Sequence, residues 1–161
     1  MNIEFRTEDL SKISFRKRRY RPDLDDITSI ISDVCNCIDG RAKFTVSGFG
    51  QDPWPVDVRT DFAVFLEQLP EALRSVKSLK PFALDFYEQG VERKLMLEPI
   101  EGKYKITCQS YLHWQPNPEI EYMEHGDLSL ALMKIKESFL RVIEVISPNL
   151  LGHKWVRAWS E

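Results

Sequence analysis

Three antiparallel strands joined by two tight turns are predicted for residues 82–110, FALDFYEQGVERKLMLEPIEGKYKITCQS. The strands and turns are expected, in order, at 82–87, 88–90, 91–98, 99–102 and 103–110. In the third strand Tyr104, Ile106 and Cys108 alternate with polar residues, so one face of the sheet should contact water. This meander predicts an antiparallel sheet that helices cover on one side only.

Helices and further strands are expected on both sides of the meander. Apolar residues recur at steps of three and four in three segments, which gives each segment one apolar face. These predicted helices span 23–38, 60–78 and 127–147. Pro70 lies inside the second helix and should kink it or split it in two, because proline lacks an amide hydrogen. Alternating apolar residues also predict strands at 2–6, 11–16 and 42–47.

The predicted class is α+β, with a mostly antiparallel sheet of about four to six strands and helices packed on one face. The chain has 161 residues, of which 43% are hydrophobic and 29% are charged. This length and composition predict a single domain over residues 1–161 with one core, which needs neither metal nor disulfides for stability. The aromatic segment 149–161 should pack back onto that domain.

The formal net charge of −3 hides an uneven distribution along the chain. Residues 1–21 carry a net charge of +4, and the remaining 140 residues carry −7. The three cysteines are an odd number, and the first residues do not resemble a signal peptide. We therefore expect a cytoplasmic protein without a membrane span.

The sequence predicts neither a catalytic site nor a cofactor or metal site. Cys35 and Cys37 are two residues apart on a predicted helix, so their side chains cannot both face one ion. Glycine-flanked nucleophile and phosphate-loop motifs are absent from the sequence. A small hydrolase remains an alternative, in which His113 or His125 would share a cleft with a glutamate.

The basic run 16–21, RKRRYR, supports a second alternative, a nucleic-acid-associated protein. The acidic remainder of the chain makes a nucleic-acid partner less favourable, because it would repel phosphates beyond a short contact. The run could instead protect an exposed strand edge or pair with the acids of the protein itself.

Aromatic and acidic residues cluster between the meander and the last predicted helix. They are Trp114, Glu119, Glu121, Tyr122 and Glu124. Carboxylates speed the encounter with a basic protein, and aromatic side chains form the buried centre of many interfaces. These five residues are the predicted partner-binding site.

The order of elements over residues 40–160 resembles small bacterial immunity proteins that accompany polymorphic or contact-dependent toxins. The residues that carry the resemblance are Val56-Asp57-Val58, Asp61-Phe62, Phe65-Leu66, Leu84-Asp85-Phe86-Tyr87, Gly90, Lys105-Ile106-Thr107-Cys108, Ser147-Pro148-Asn149-Leu150, Trp155 and Trp159. The resemblance implies a non-enzymatic inhibitor that binds one cognate toxin domain and covers its active or target-binding surface. It implies no role for any individual residue.

Overall fold

Residues 1–16 and 18–161, which the computed structural model describes, form four α-helices, one 3-10 helix and six β-strands. The strands are β1 (Asn2–Thr7), β2 (Ala42–Ser47), β3 (Phe82–Phe86), β4 (Arg93–Ile100), β5 (Lys103–Ser110) and β6 (Ile120–Glu124). The helices are α1 (Ile27–Ile38), α2 (Asp61–Lys77), α3 (His125–Ile146), a 3-10 helix (Pro148–Gly152) and α4 (Lys154–Ser160). The predicted α+β class is confirmed.

The described strands form two antiparallel sheets. One sheet has the order β3-β4-β5-β6, and the other consists of β1 and β2. Helix α2 packs on β3, and α3 contacts β5, β6 and β1. Leu84, Leu95 and Ile106 point to this covered side of the larger sheet and are buried. We call it the inner face, and the opposite side the outer face.

Two predicted helix starts differ from those in the structure. Helix α1 begins at Ile27 instead of residue 23, because Asp26 is the N-cap and its carboxylate accepts the amide hydrogen of Thr28 at 2.8 Å. Helix α3 begins at His125, directly after β6, so that Asp127 lies within its first turn and is not the cap. The cap at Asp26 sets the first boundary, and the end of β6 at Glu124 sets the second.

The strand predicted at 11–16 is wrong, since residues 11–12 form a turn and residues 13–16 have no strand partner. Ile13 and Phe15 are partly buried against the core despite this irregular backbone. Their alternation therefore reflects packing of single side chains, and does not come from pairing in a sheet.

Pro70 neither splits α2 nor ends it, because the helix continues from Asp61 to Lys77. A proline at this position leaves the carbonyl of Leu66, four residues earlier, without its helical donor. The indole of Trp159 donates to this carbonyl oxygen at 2.8 Å. The C-terminal segment thus packs back onto the core, as predicted, and satisfies the group that Pro70 leaves free.

Asp61 begins α2 with a buried carboxylate. Its Oδ2 accepts the amide hydrogen of Asp57 at 2.8 Å, while its Oδ1 has no hydrogen-bond partner among the described residues. Burial is the main cause that raises the pKa of Asp61 from 3.8 to about 6, and the charges of Asp57 and Glu88 add to it. The ionised form is therefore disfavoured in the folded protein.

Asp61→Asn should remove a pH dependence of stability. Between the unfolded-state pKa and the higher folded-state pKa, the folded protein binds more protons than the unfolded chain, so its stability falls as the pH rises. From about pH 4 to about pH 7, the wild type should lose about 2 kcal/mol relative to the variant. Urea unfolding of both proteins across this range tests the prediction, and a constant difference between them contradicts it.

Candidate functional site

The outer face of the four-stranded sheet bears large exposed side chains. The exposed fractions are 59% for Tyr122, 48% for Ile100, 40% for Met96 and 38% for Ile120. The helices that pack on this sheet do so on the inner face, where the buried residues of each strand point. Four large hydrophobic side chains on one face are a feature typical of an interaction surface.

The strand register places two of these side chains, Met96 and Ile120, in one row across the sheet. Ala83 pairs with Met96, Met96 pairs with Thr107, and Thr107 pairs with Ile120. All four point to the outer face, because they alternate with the buried residues of their strands. We call these four residues the apolar row.

Charged residues flank the apolar row and pair with one another. Their ion pairs are Lys94–Asp85 at 3.9 Å, Lys105–Glu98 at 3.7 Å and Lys103–Glu124 at 2.9 Å. Such half-exposed pairs contribute little to stability. The three cations and three anions of these pairs cancel, so together they add no net charge to the outer face.

The five residues of the predicted binding site lie in four different places. Tyr122 and Glu124 belong to the outer face, and Glu119 is exposed just before β6. Glu121 pairs with Ile106 in the register and shares its inner side of the sheet. Trp114 lies on the loop between β5 and β6, partly buried. The strand β6, which the sequence pattern did not single out, causes this division.

Glu121 binds two groups of the protein itself. Its carboxylate accepts hydrogen bonds from the α-amino group of Met1 and from the amide of Phe49. The first bond holds the N-terminus, and the second holds the turn that Gly48 and Gln51 close by pairing with each other. Glu121 is therefore an internal anchor, since both contacts of its carboxylate are with the protein itself.

Trp114 packs on the side chain of Arg93, a residue that the sequence analysis missed. The guanidinium carbon lies 3.6 Å from the ring centroid of Trp114 and 4.4 Å from that of Trp54. The two rings are 6.2 Å apart and inclined by 62°, so they form a corner around the cation. Contacts of this kind stabilise a cation through the negative face of the ring.

Arg93 is buried without a counter-charge. It is 2% exposed, and its Nη2 donates to the side-chain oxygen of Gln51 at 2.6 Å. Nε and Nη1 have no hydrogen-bond acceptor, and no carboxylate lies within 4.0 Å in the part of the chain described. Burial lowers the pKa of Arg93. The alternation Arg93, Leu95, Leu97 was the available signal, since it places Arg93 on the buried face.

Part of the basic run pairs with acids of the protein. Arg18 forms ion pairs with Asp25 and Asp33, and the hydroxyl of Tyr20 donates to Asp33 at 3.0 Å. Burial and the hydrogen bond to Asp33 raise the pKa of Tyr20. Lys17, in the middle of the run, lies outside the described residues. The contacts of Arg18 match the interpretation that the run pairs with the protein's own acids.

The histidines and cysteines of the described residues do not converge on one site. His125 contacts the carbonyl oxygen of Val76 at 3.0 Å, and His153 accepts the amide hydrogen of Trp155 at 3.4 Å. No group of three potential metal ligands occurs within residues 1–16 and 18–161. Over the same residues, no helix has both the length and the apolar character that crossing a membrane requires.

Two features thus stand out, the apolar row on the outer face and the buried guanidinium of Arg93 on the inner face. Comparisons with protein-family models, with curated proteins and with solved structures gave no match for this chain. A function for the protein therefore has to be argued from these two features.

Proposed function

We propose that the protein is a non-enzymatic cytoplasmic inhibitor that binds one cognate bacterial toxin domain through its outer face. The apolar row is the observation that carries the proposal, because it presents Met96 and Ile120 on a sheet surface that the packed helices leave free. Tyr122 lies two residues from Ile120 on the same side of β6. An exposed tyrosine beside aliphatic side chains is typical of the centre of a protein interface.

The proposed mechanism is occlusion. A four-stranded sheet offers a broad surface, which can cover the active or target-binding surface of a toxin without chemistry of its own. The backbone of the sheet is held by hydrogen bonds on every strand, so little order has to be gained on binding. Inhibition is then stoichiometric and requires no cofactor.

Charge acts at two distances in this proposal. The net −7 beyond residue 21 attracts a basic partner at long range and raises the rate of encounter. At contact, the paired lysines and acids of the outer face require a partner surface with both signs of charge. This requirement favours one orientation of the bound partner. The short-range partner surface is therefore mixed in charge, in contrast to the uniformly basic surface that the acidic residues alone would favour.

The double variant Met96→Ala/Ile120→Ala should bind the toxin domain about 10-fold more weakly or worse, because it truncates the apolar row. The domain to use is the C-terminal domain of the protein encoded immediately upstream of this gene. Calorimetric titration measures the dissociation constant, and growth of cells that express the toxin measures protection. We expect both binding and protection to fall together.

A matched control comes from α3. Leu130→Ala/Val145→Ala removes two exposed aliphatic side chains far from the outer face, and it should leave binding unchanged. Two outcomes contradict the proposal: wild-type protein that does not bind the domain at micromolar concentration, and equal losses of affinity in the two double variants.

A further inference from the structure

Strand β1 has one unpaired edge. It pairs with β2 on one side, and within residues 1–16 and 18–161 no strand lies on its other side. The outer edges of β2 and β3 are bonded by the protein itself. The side chain of Gln68 bonds both backbone groups of Asp85 on β3, and the amide of Trp54 donates to the carbonyl oxygen of Val46 on β2. An edge without such contacts can pair with a strand of another chain.

The register of β1 decides which of its backbone groups point to this free edge. In an antiparallel pair, every second residue directs its N–H and C=O groups away from the partner strand. Val46 directs its carbonyl oxygen away from β1, toward Trp54, so its partner Ile3 is one of these residues. By alternation, Phe5 and Thr7 are the others. Amide hydrogens and carbonyl oxygens of these three residues therefore form a row along the edge.

There is space beside this row of backbone groups. A cavity of about 530 Å³ is lined by residues 2–6 of β1 and by residues of α3, among them Leu130. The cavity therefore follows β1 over five of its six residues. Leu130 is 52% exposed, so an incoming strand would find an apolar side chain next to its hydrogen-bond partners.

The side chains of β1 that point away from the core carry charges of opposite sign. Glu4 and Arg6 alternate with the buried Ile3 and Phe5, and they form an ion pair at 2.8 Å. The side chain of Arg6 is 76% exposed and lies opposite another cation, Lys43 of β2. Like charges at directly opposite positions are unfavourable, so Arg6 would gain from a carboxylate on its other side. An edge with one sign of charge would repel a copy of itself, whereas this edge carries both signs.

We propose that β1 pairs with β1 of a second copy of this chain, antiparallel and about a two-fold axis at Phe5. The outward backbone groups then meet in hydrogen-bonded pairs, Phe5 with Phe5 and Ile3 with Thr7. In this register Glu4 of each copy lies opposite Arg6 of the other, which forms two ion pairs across the axis. A register shifted by two residues would place Glu4 opposite Glu4, so the charges favour the register proposed. The two small sheets become one sheet with the strand order β2-β1-β1-β2.

Charge reversal tests this register, with sedimentation equilibrium of the full chain to measure the dissociation constant of the dimer. Glu4→Arg places cations at both positions, and Arg6→Glu places carboxylates at both. Each variant alone should dimerise about 10-fold more weakly or worse, because two attractions become two repulsions. An equimolar mixture of the variants should dimerise like the wild type, since every cation then lies opposite a carboxylate. The ion pair within one chain cannot cause this recovery, because each variant chain keeps its two like charges.

Glu71→Arg is the matched control. Glu71 forms an exposed ion pair with Arg74 on α2, so reversal of its charge should leave the dissociation constant of the dimer unchanged.

Three outcomes overturn the proposal. The first is a wild type that stays monomeric throughout the micromolar range, and the second is a mixture that dimerises no better than its two components. The third is a dimer that Met96→Ala/Ile120→Ala weakens and the charge reversals do not, which would assign the contact to the outer face. Sedimentation needs no toxin domain, so its result does not depend on the function proposed above.

Discussion

Phe62→Ala should lower the free energy of unfolding by about 4 kcal/mol. Phe62 is fully buried, and its ring centroid lies 4.1 Å from that of Phe5 and 4.9 Å from that of Phe44. It also contacts Phe139 edge-on at 6.1 Å. One ring therefore joins α2 to β1, β2 and α3, and its removal leaves a cavity where these elements meet. Urea unfolding followed by tryptophan fluorescence measures the effect.

Tyr87→Ala is the control for this truncation. Tyr87 is 57% exposed, so the loss of its ring should change the free energy of unfolding by about 0.5 kcal/mol or less. A loss below about 1 kcal/mol in Phe62→Ala would contradict the packing described here, because truncation of a well-packed core phenylalanine costs more than that.

The meander could be predicted from the sequence because its signals are local. The turn between β4 and β5 contains Glu101 and Gly102, both with positive φ angles of 46° and 83°. Two residues of this kind form the tight turn whose twist matches paired strands, and glycine favours it. The period of two in β5 then decides which side chains are buried. Each of these features involves residues that are close in the chain.

Features that depend on distant residues could not be predicted in this way. Residues 11–16 alternate as a strand does, but no second strand lies beside them within the described part of the chain. Strand β6 is recognisable mainly through its pairing with β5, for example between Ile106 and Glu121. Pairing across a sheet is a tertiary interaction, and the sequence of one strand does not report it.

The candidate sites show the same limit. The acidic residues at 119–124 look like one patch in the sequence, yet alternation on β6 turns Glu121 inward and Tyr122 outward. Arg93 falls on the buried side by alternation alone, but its two aromatic neighbours come from separate loops. The geometry that leaves its donors unpaired therefore exists only in the folded chain.

Gly50→Ala is the second substitution with a large expected effect, about 3 kcal/mol of lost stability. Gly50 has a φ angle of 82°, and a Cβ atom at this position would lie 2.2 Å from the backbone oxygen of Asn117. In the same turn, the carbonyl oxygen of Phe49 accepts the amide hydrogen of Asn117 at 2.9 Å. The variant must therefore separate the turn at 48–51 from the loop that carries Trp114. Urea unfolding measures the loss.

Gly40→Ala is the control for Gly50→Ala, because it introduces the same backbone strain without a clash. Gly40 has a φ angle of 77°, close to that of Gly50, but an added Cβ atom would meet no described atom within 4 Å. This variant should lose about 1 kcal/mol, which is the cost of a left-handed conformation for alanine. Both variants carry the same backbone strain. The difference between their losses of unfolding free energy therefore measures the steric clash between the added Cβ atom at Gly50 and Asn117. Equal losses would mean that the loop yields freely, and the enclosed position of Arg93 would then not depend on this contact.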